Sequence, residues 1–98
     1  WSASSLNPAD FTITAAFADG QISGRSAVNS YGGPYSAAAD GAFSVGTLAM
    51  TLMASDENSM RAESLYHELL AQTRRWRRDG SQLVLSAGAQ DLLIFDPQ

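Results

Sequence analysis

Three Asp-Gly pairs, Asp19-Gly20, Asp40-Gly41 and Asp79-Gly80, set the limits on what this chain can fold into. Asp-Gly is a strong hairpin signal, because a type I′ turn needs positive φ at both central residues. Each pair separates segments that read as strands. Phe11, Ile13, Ala15 and Phe17 alternate with Thr12, Thr14 and Ala16, which gives a strand with one apolar face. Gln21-Ile22-Ser23-Gly24 returns as its partner. Tyr31 to Ala38 leads into the second pair, and Ala42-Phe43-Ser44-Val45 leaves it. Leu83 and Leu85 alternate with Gln82 and Val84 after the third. Leu92-Leu93-Ile94-Phe95 is a continuous apolar run, as expected of a strand covered on both faces. Gly32-Gly33-Pro34 reads as a bend or bulge inside an edge strand. The flanks of the three pairs do not match, which favours hairpins over a solenoid.

Residues 55–73 follow another period. Ala62, Leu65, Tyr66, Leu69, Leu70 and Thr73 share one helix face, and Glu63, Ser64, His67, Glu68 and Gln72 share the other. Ser55 or Asp56 can cap the start, where Asp56, Glu57 and Glu63 suit the dipole; Arg74 and Arg75 suit its negative end. The expected fold is therefore α+β: a strongly curved antiparallel sheet or open barrel-like β structure, with one packed α-helix at about residues 56–73. Ninety-eight residues make one domain, 1–98. Its core should draw on Phe11, Ile13, Phe17, Ile22, Phe43, Val45, Leu48, Leu65, Leu69, Leu83, Leu85, Leu92 and Ile94. Burial of each stabilises by about 1.5–3 kcal/mol.

Composition removes several function classes. Ten acidic against six basic residues give a net charge of −4, which argues against a nucleic-acid partner. No cysteine is present, so disulfides, thiol catalysis and Cys-based metal sites are excluded. No apolar run is long enough for a membrane helix. The chain opens at Trp1 without the charged and apolar regions of a signal peptide. It is therefore either cytosolic or the product of signal removal.

Few residues point to chemistry. His67 is the only histidine, with Glu63 and Glu68 nearby on the polar helix face. It reads as a solvated, dispensable side chain with a mildly raised pKa, because no second His and no Cys complete a metal site. No Gly-x-Ser-x-Gly elbow and no phosphate loop occur. No catalytic, cofactor-binding or metal residue is assigned. The least ordinary feature is Arg74, Arg75, Arg77 and Arg78 around Trp76. If Trp76 points inward, period two sends Arg78 to the same face. A bare guanidinium there must reach a carboxylate or snorkel out, which places Arg78 at the mouth of the interior. Arg75 and Arg77 then face the opposite side. Arg78, Trp76, Arg75 and Arg77 are the candidate ligand or partner contacts.

The stretch from Ile22 to Phe95 resembles the META/HslJ domain family. Asp19-Gly20-Gln21-Ile22-Ser23-Gly24 resembles the family's first hairpin. Val28-Asn29-Ser30-Tyr31-Gly32-Gly33-Pro34-Tyr35 resembles its Cys-Asn-containing segment, and Leu48-Ala49-Met50-Thr51-Leu52-Met53-Ala54-Ser55 its Thr-x-Met-Ala-Cys segment. Met60-Arg61-Ala62-Glu63 is similar to its helix start, and the two final apolar segments match its closing strands. Trp1 extends the likeness to nearly the whole chain. Val28 and Ser55 stand where the family often has two cysteines. Their joint loss is expected if the two positions sit close enough to pair. Asn29, Tyr31, Tyr35, Thr51, Met53 and Glu63 are the motif residues, read as structural.

The resemblance implies a small α+β domain without established catalytic residues, often exported to the bacterial envelope or anchored there as a lipoprotein, and linked to stress responses. The expectation is a non-enzymatic envelope or stress-associated binding domain in the periplasm or cell envelope. It should be monomeric and without cofactor, with an unknown protein or lipid partner. One alternative is a carrier of a lipid acyl chain or hydrophobic peptide, by similarity to a secretion pilotin. Another is a hydrolase with an unrecognised site.

Overall fold

A computed structural model describes residues 1–4 and 11–97. Its strands are β1 (Ser2–Ala3), β2 (Ala16–Ala18), β3 (Gln21–Ser26), β4 (Asn29–Ala37), β5 (Phe43–Val45), β6 (Ala49–Met50), β7 (Arg75–Asp79), β8 (Gln82–Ala87) and β9 (Gln90–Asp96). The helix α1 spans Glu57–Gln72, between β6 and β7. All three Asp-Gly pairs lie between paired strands, but by different turns. Asp19 and Gly20 both take positive φ, 54° and 76°, as a type I′ turn requires. At the third pair Asp79 stays in its strand opposite Gln82, and Gly80-Ser81 forms the loop with positive φ at Gly80 alone. The second pair lies in a longer loop, where the Ala42 N–H donates to Asp40 Oδ1 at 3.0 Å. Two further turns carried no recognised signal: Ala27-Val28, with Ala27 at φ 77°, and Gly88-Ala89.

The strands form two antiparallel sheets. One has the order β1-β9-β8-β7; the other runs β2-β3-β4-β5, with β6 also on β4. The sheets do not close into a barrel. Short bridges stitch them at two seams instead. At the first, Ala3 N donates to Ile13 O and Ala15 N to Trp1 O, at 2.8 and 2.9 Å. At the second, Phe43 N donates to Arg74 O and Trp76 N to Gly41 O, at 2.9 and 2.8 Å. β4 is a central strand, not the edge strand expected from Gly32-Gly33-Pro34. Pro34 is tolerated because Tyr35 N donates toward β3, to Gly20 O. Alternation then turns the position of Pro34's missing N–H toward the gap between β5 and β6.

The core phase departs from expectation in two places. In β9 the buried residues are Leu93 and Phe95, while Leu92 and Ile94 are half-buried. A continuous apolar run carries no alternation to fix its parity. The register fixes it, setting Leu83 opposite Phe95 and Leu85 opposite Leu93 on one face. In α1 the buried residues are Glu63, Tyr66 and Leu70, and Leu65 is 44% exposed. The helix is rotated so that a carboxylate takes the core position expected of a leucine. Its ends are capped from within: Ser59 N donates to the Asp56 carboxylate, and Thr73 donates to Leu70 O.

Gly24 shows how tightly β3 meets the segment that leads into β2. A Cβ there would stand 2.2 Å from Thr14 O. That carbonyl is turned inward and accepts the Tyr31 hydroxyl at 2.7 Å. The Thr14 hydroxyl replaces it in the ladder, accepting from Arg25 N at 3.1 Å. Gly24→Ala is expected to destabilise by about 2–3 kcal/mol, at the upper end for forced overpacking. Gly20→Ala has open space and only its positive φ to oppose it, and should cost about 1 kcal/mol. Urea denaturation of the two variants checks the order.

Candidate functional site

Two sites stand out at different places in the fold. The first is a buried polar cluster under α1. Glu63 is 4% exposed, and its carboxylate is satisfied on both oxygens. Oε1 accepts from Ser26 Oγ at 2.8 Å and from Asn29 N at 2.7 Å; Oε2 accepts from Asn29 Nδ2 at 2.8 Å. Burial alone would raise this carboxyl. The donors of Asn29, Ser26 and the Val28 backbone outweigh it and hold the group below the usual carboxylate range. Asn29 then passes the link outward. Its Oδ1 accepts from Thr51 Oγ1 at 2.8 Å and Met53 N at 2.7 Å. Thr51 Oγ1 also accepts from Ser30 N at 3.1 Å.

Four of the motif residues, Asn29, Thr51, Met53 and Glu63, thus meet in one hydrogen-bonded set. Tyr31 is next to it: its hydroxyl receives a hydrogen bond from Tyr66 while donating to Thr14 O. Burial pushes Tyr31 up to about 12 and Tyr66 higher still. Met53 contributes its backbone only, since its side chain is exposed. Tyr35 does not join the set. Val28 adjoins Asn29, and Ser55 lies two residues past Met53, whose amide Asn29 holds.

His67 is not the solvated residue expected. It is half-buried, with its ring edge-to-face on Tyr31 and Tyr66 at 5.3 and 5.5 Å between centroids. Its Nε2 lies 2.9 Å from Ser26 Oγ. Because Ser26 donates to Glu63, it accepts from Nε2–H, which fixes the tautomer. Burial lowers the His67 pKa, and the nearby Glu63 charge offsets this only in part. The chain of contacts runs Glu63, Ser26, His67. The serine is in the middle and fully buried, so the arrangement is not a nucleophile activated by a histidine.

The second site is a cleft of about 190 Å³ between the sheets, with walls that include Phe17, Tyr35, Phe43, Trp76 and Leu85. Phe17 and Tyr35 stack edge-to-face at 5.0 Å, and Trp76 Nε1 donates to Ala38 O at 2.9 Å. Trp76 does point inward, and Arg78 does line the same cleft. Arg78 snorkels out rather than pairing. Its guanidinium carbon stands 4.9 Å from the Trp1 ring centre, and among the described residues it makes no ion pair. The other arginines are engaged elsewhere. Arg77 makes a two-pronged bond to Asp91 at 2.7 and 2.9 Å, Arg75 donates to Asp40 O, and Arg74 donates to Ala71 O and Thr73 O.

Ser26 carries no local signal, because the strand legible in the sequence ends at Gly24 and the side-chain partners Glu63 and His67 are 37 and 41 residues away. Phe17 was assigned only to the core, and nothing in the chain marks the Trp1–Arg78 contact. No group of three His, Asp or Glu side chains that could hold a metal occurs among the described residues. No described helix is long and apolar enough to cross a membrane.

The family model of the META domain matches residues 1–98, the full length of the chain. No curated protein and no solved structure shows a significant match.

Glu63→Gln sets an amide N–H against donors and should cost about 2–3 kcal/mol at neutral pH. Glu63's folded pKa is lowered, so its contribution is complete above the ordinary carboxylate pKa of about 4.3 and is lost as pH falls through the folded value. His67's folded pKa is lowered as well, so the parent should begin losing stability just below about pH 6.5. Chemical denaturation from pH 8 to 3 should show parent and variant converging at the acid end. A constant gap across the range would contradict the assignment.

Proposed function

The chain belongs to the META domain family, and from that premise we propose that it is a non-enzymatic, stress-associated binding domain of the bacterial cell envelope, exported and then freed of its signal. Its ligand is an apolar group with an anionic end, such as a lipid acyl chain or a hydrophobic peptide. The observation that carries this reading is the cleft: aromatic and leucine walls, with one arginine at the rim that makes no ion pair among the described residues. Apolar concavity with a single placed charge is the usual form of a small ligand site. Desolvation of the aromatic walls supplies affinity, and the guanidinium orients the anionic end. A cleft of about 190 Å³ suits the end of an acyl chain or one large side chain. Arg78 already rests over the Trp1 ring, so an incoming anion meets a guanidinium held at the rim.

The chain has two tryptophans, Trp1 and Trp76, and both line the cleft. Their fluorescence therefore reports occupancy without a label. Titration with decanoate should shift the emission saturably. Arg78→Ala should weaken binding about fivefold, as loss of an exposed ion pair worth up to ~1 kcal/mol gives. Arg75→Ala, whose guanidinium is held on Asp40 O, should bind as the parent does. Equal binding by both variants, or no saturable shift, would contradict the reading.

A further inference from the structure

We propose that a groove between α1 and the β5–β6 side of the second sheet binds one soft monovalent cation, Cu(I) or its analogue Ag(I), between His67 Nδ1 and the Met50 thioether. The groove, of about 330 Å³, is lined by Val45, Gly46, Leu48, Met50, His67 and Ala71. It shares no lining residue with the aromatic cleft. The site goes beyond the binding role proposed above and does not depend on it.

Register and ring packing bring the two residues to one groove. Met50 lies directly opposite Tyr31 across the β4–β6 pair, so the two side chains are on one face with Cβ atoms about 4.5–5.5 Å apart. The Tyr31 ring in turn rests edge-to-face on the His67 ring at 5.3 Å. Met50 is 38% exposed, so its sulfur is not sealed in the core.

The tautomer of His67 is the second observation. Nε2 carries the proton and gives it to Ser26 Oγ, which in turn donates to Glu63. The lone pair is therefore on Nδ1, which makes no hydrogen bond among the described residues. None of the described buried side-chain nitrogens or oxygens lacks a partner, so Nδ1 is not sealed from solvent, and His67 is among the residues that line the groove. Metal-binding histidines have this form: the other ring nitrogen donates to an acceptor that fixes the ring and raises its basicity.

Ligand chemistry selects the ion. A thioether and an imidazole suit Cu(I), which accepts few ligands. No carboxylate lines the groove, which disfavours Mg²⁺ and Ca²⁺, and two donors fall short of the four that Zn²⁺ takes in structural sites.

The test titrates the chain with silver nitrate in chloride-free buffer, followed by the His67 ring nitrogen and methionine methyl NMR signals. The expected result is saturation at one equivalent, with shifts at His67 Nδ1 and the Met50 methyl. Met50→Leu and His67→Gln should each weaken binding by at least about tenfold. Met53→Leu, whose side chain is outside the groove, should bind as the parent does. Zinc sulfate should leave both signals in place. Met50→Leu conserves volume at a partly exposed position, so it carries the test even if His67→Gln unfolds. Absence of saturable binding, unchanged affinity in Met50→Leu, equal loss in Met53→Leu, or zinc binding of equal strength would overturn the proposal.

Discussion

The buried carboxylate of Glu63 ties the helix to the sheet. A charge this far from water is costly unless every lone pair is answered, and here the answers come from the start of β4 and the end of β3. The bonds from Ser26 and Asn29 span 37 and 34 residues, so neither strand nor helix can place them alone. Satisfying the charge fixes the rotation of α1, which in turn sets Tyr66 and Leu70 into the core and exposes Leu65. Asn29 extends the same constraint to the segment that leads into the helix, through Thr51 and the backbone of Met53. One ionised group therefore orders the β3–β4 turn, the 51–53 segment and the helix together.

That division leaves the molecule with two unlike regions. Where α1 packs, polar groups are paired inward and the fold is specified by hydrogen bonds. At the aromatic cleft the sheets part and the walls are rings with little polar content. The stitches at the two seams hold the sheets near each other without a continuous ladder, which leaves the cleft open between them. Arg78 sits at its rim because period two sends it inward and its charge sends it back out. The same guanidinium on the other face would at most make a surface ion pair with a carboxylate, as Arg77 does with Asp91.

Much of this was legible in the chain, and the gaps have physical causes. Asp-Gly marked three hairpins and helical spacing marked α1 to within a residue at each end, because both signals are local. Ala27-Val28 carried no turn residue; its positive φ at Ala27 is sustained by flanking Ser26 and Asn29, which Glu63 holds. Glu63 beside Ser64 and His67 looks like a polar face, and only partners distant in sequence make its burial possible. The family likeness singled out Asn29, Thr51, Met53 and Glu63 without saying why they belong together; the hydrogen bonds supply the reason. Period two found the Arg78–Trp76 side of the cleft, whereas Trp1 and Phe17 arrive from another sheet edge and a separate hairpin. His67 was misread because its burial depends on the same helix rotation as Glu63.

Native-state hydrogen exchange at the Met53 amide tests this account most directly. Met53 lies outside every strand and helix, and its N–H donates to Asn29 Oδ1 rather than into a ladder. If Glu63 and Asn29 order this segment as part of the core, that amide should exchange only by opening with a free energy close to global unfolding. Exchange at the rate of an unprotected loop amide, with the sheets still protected, would contradict the central role given to the buried carboxylate.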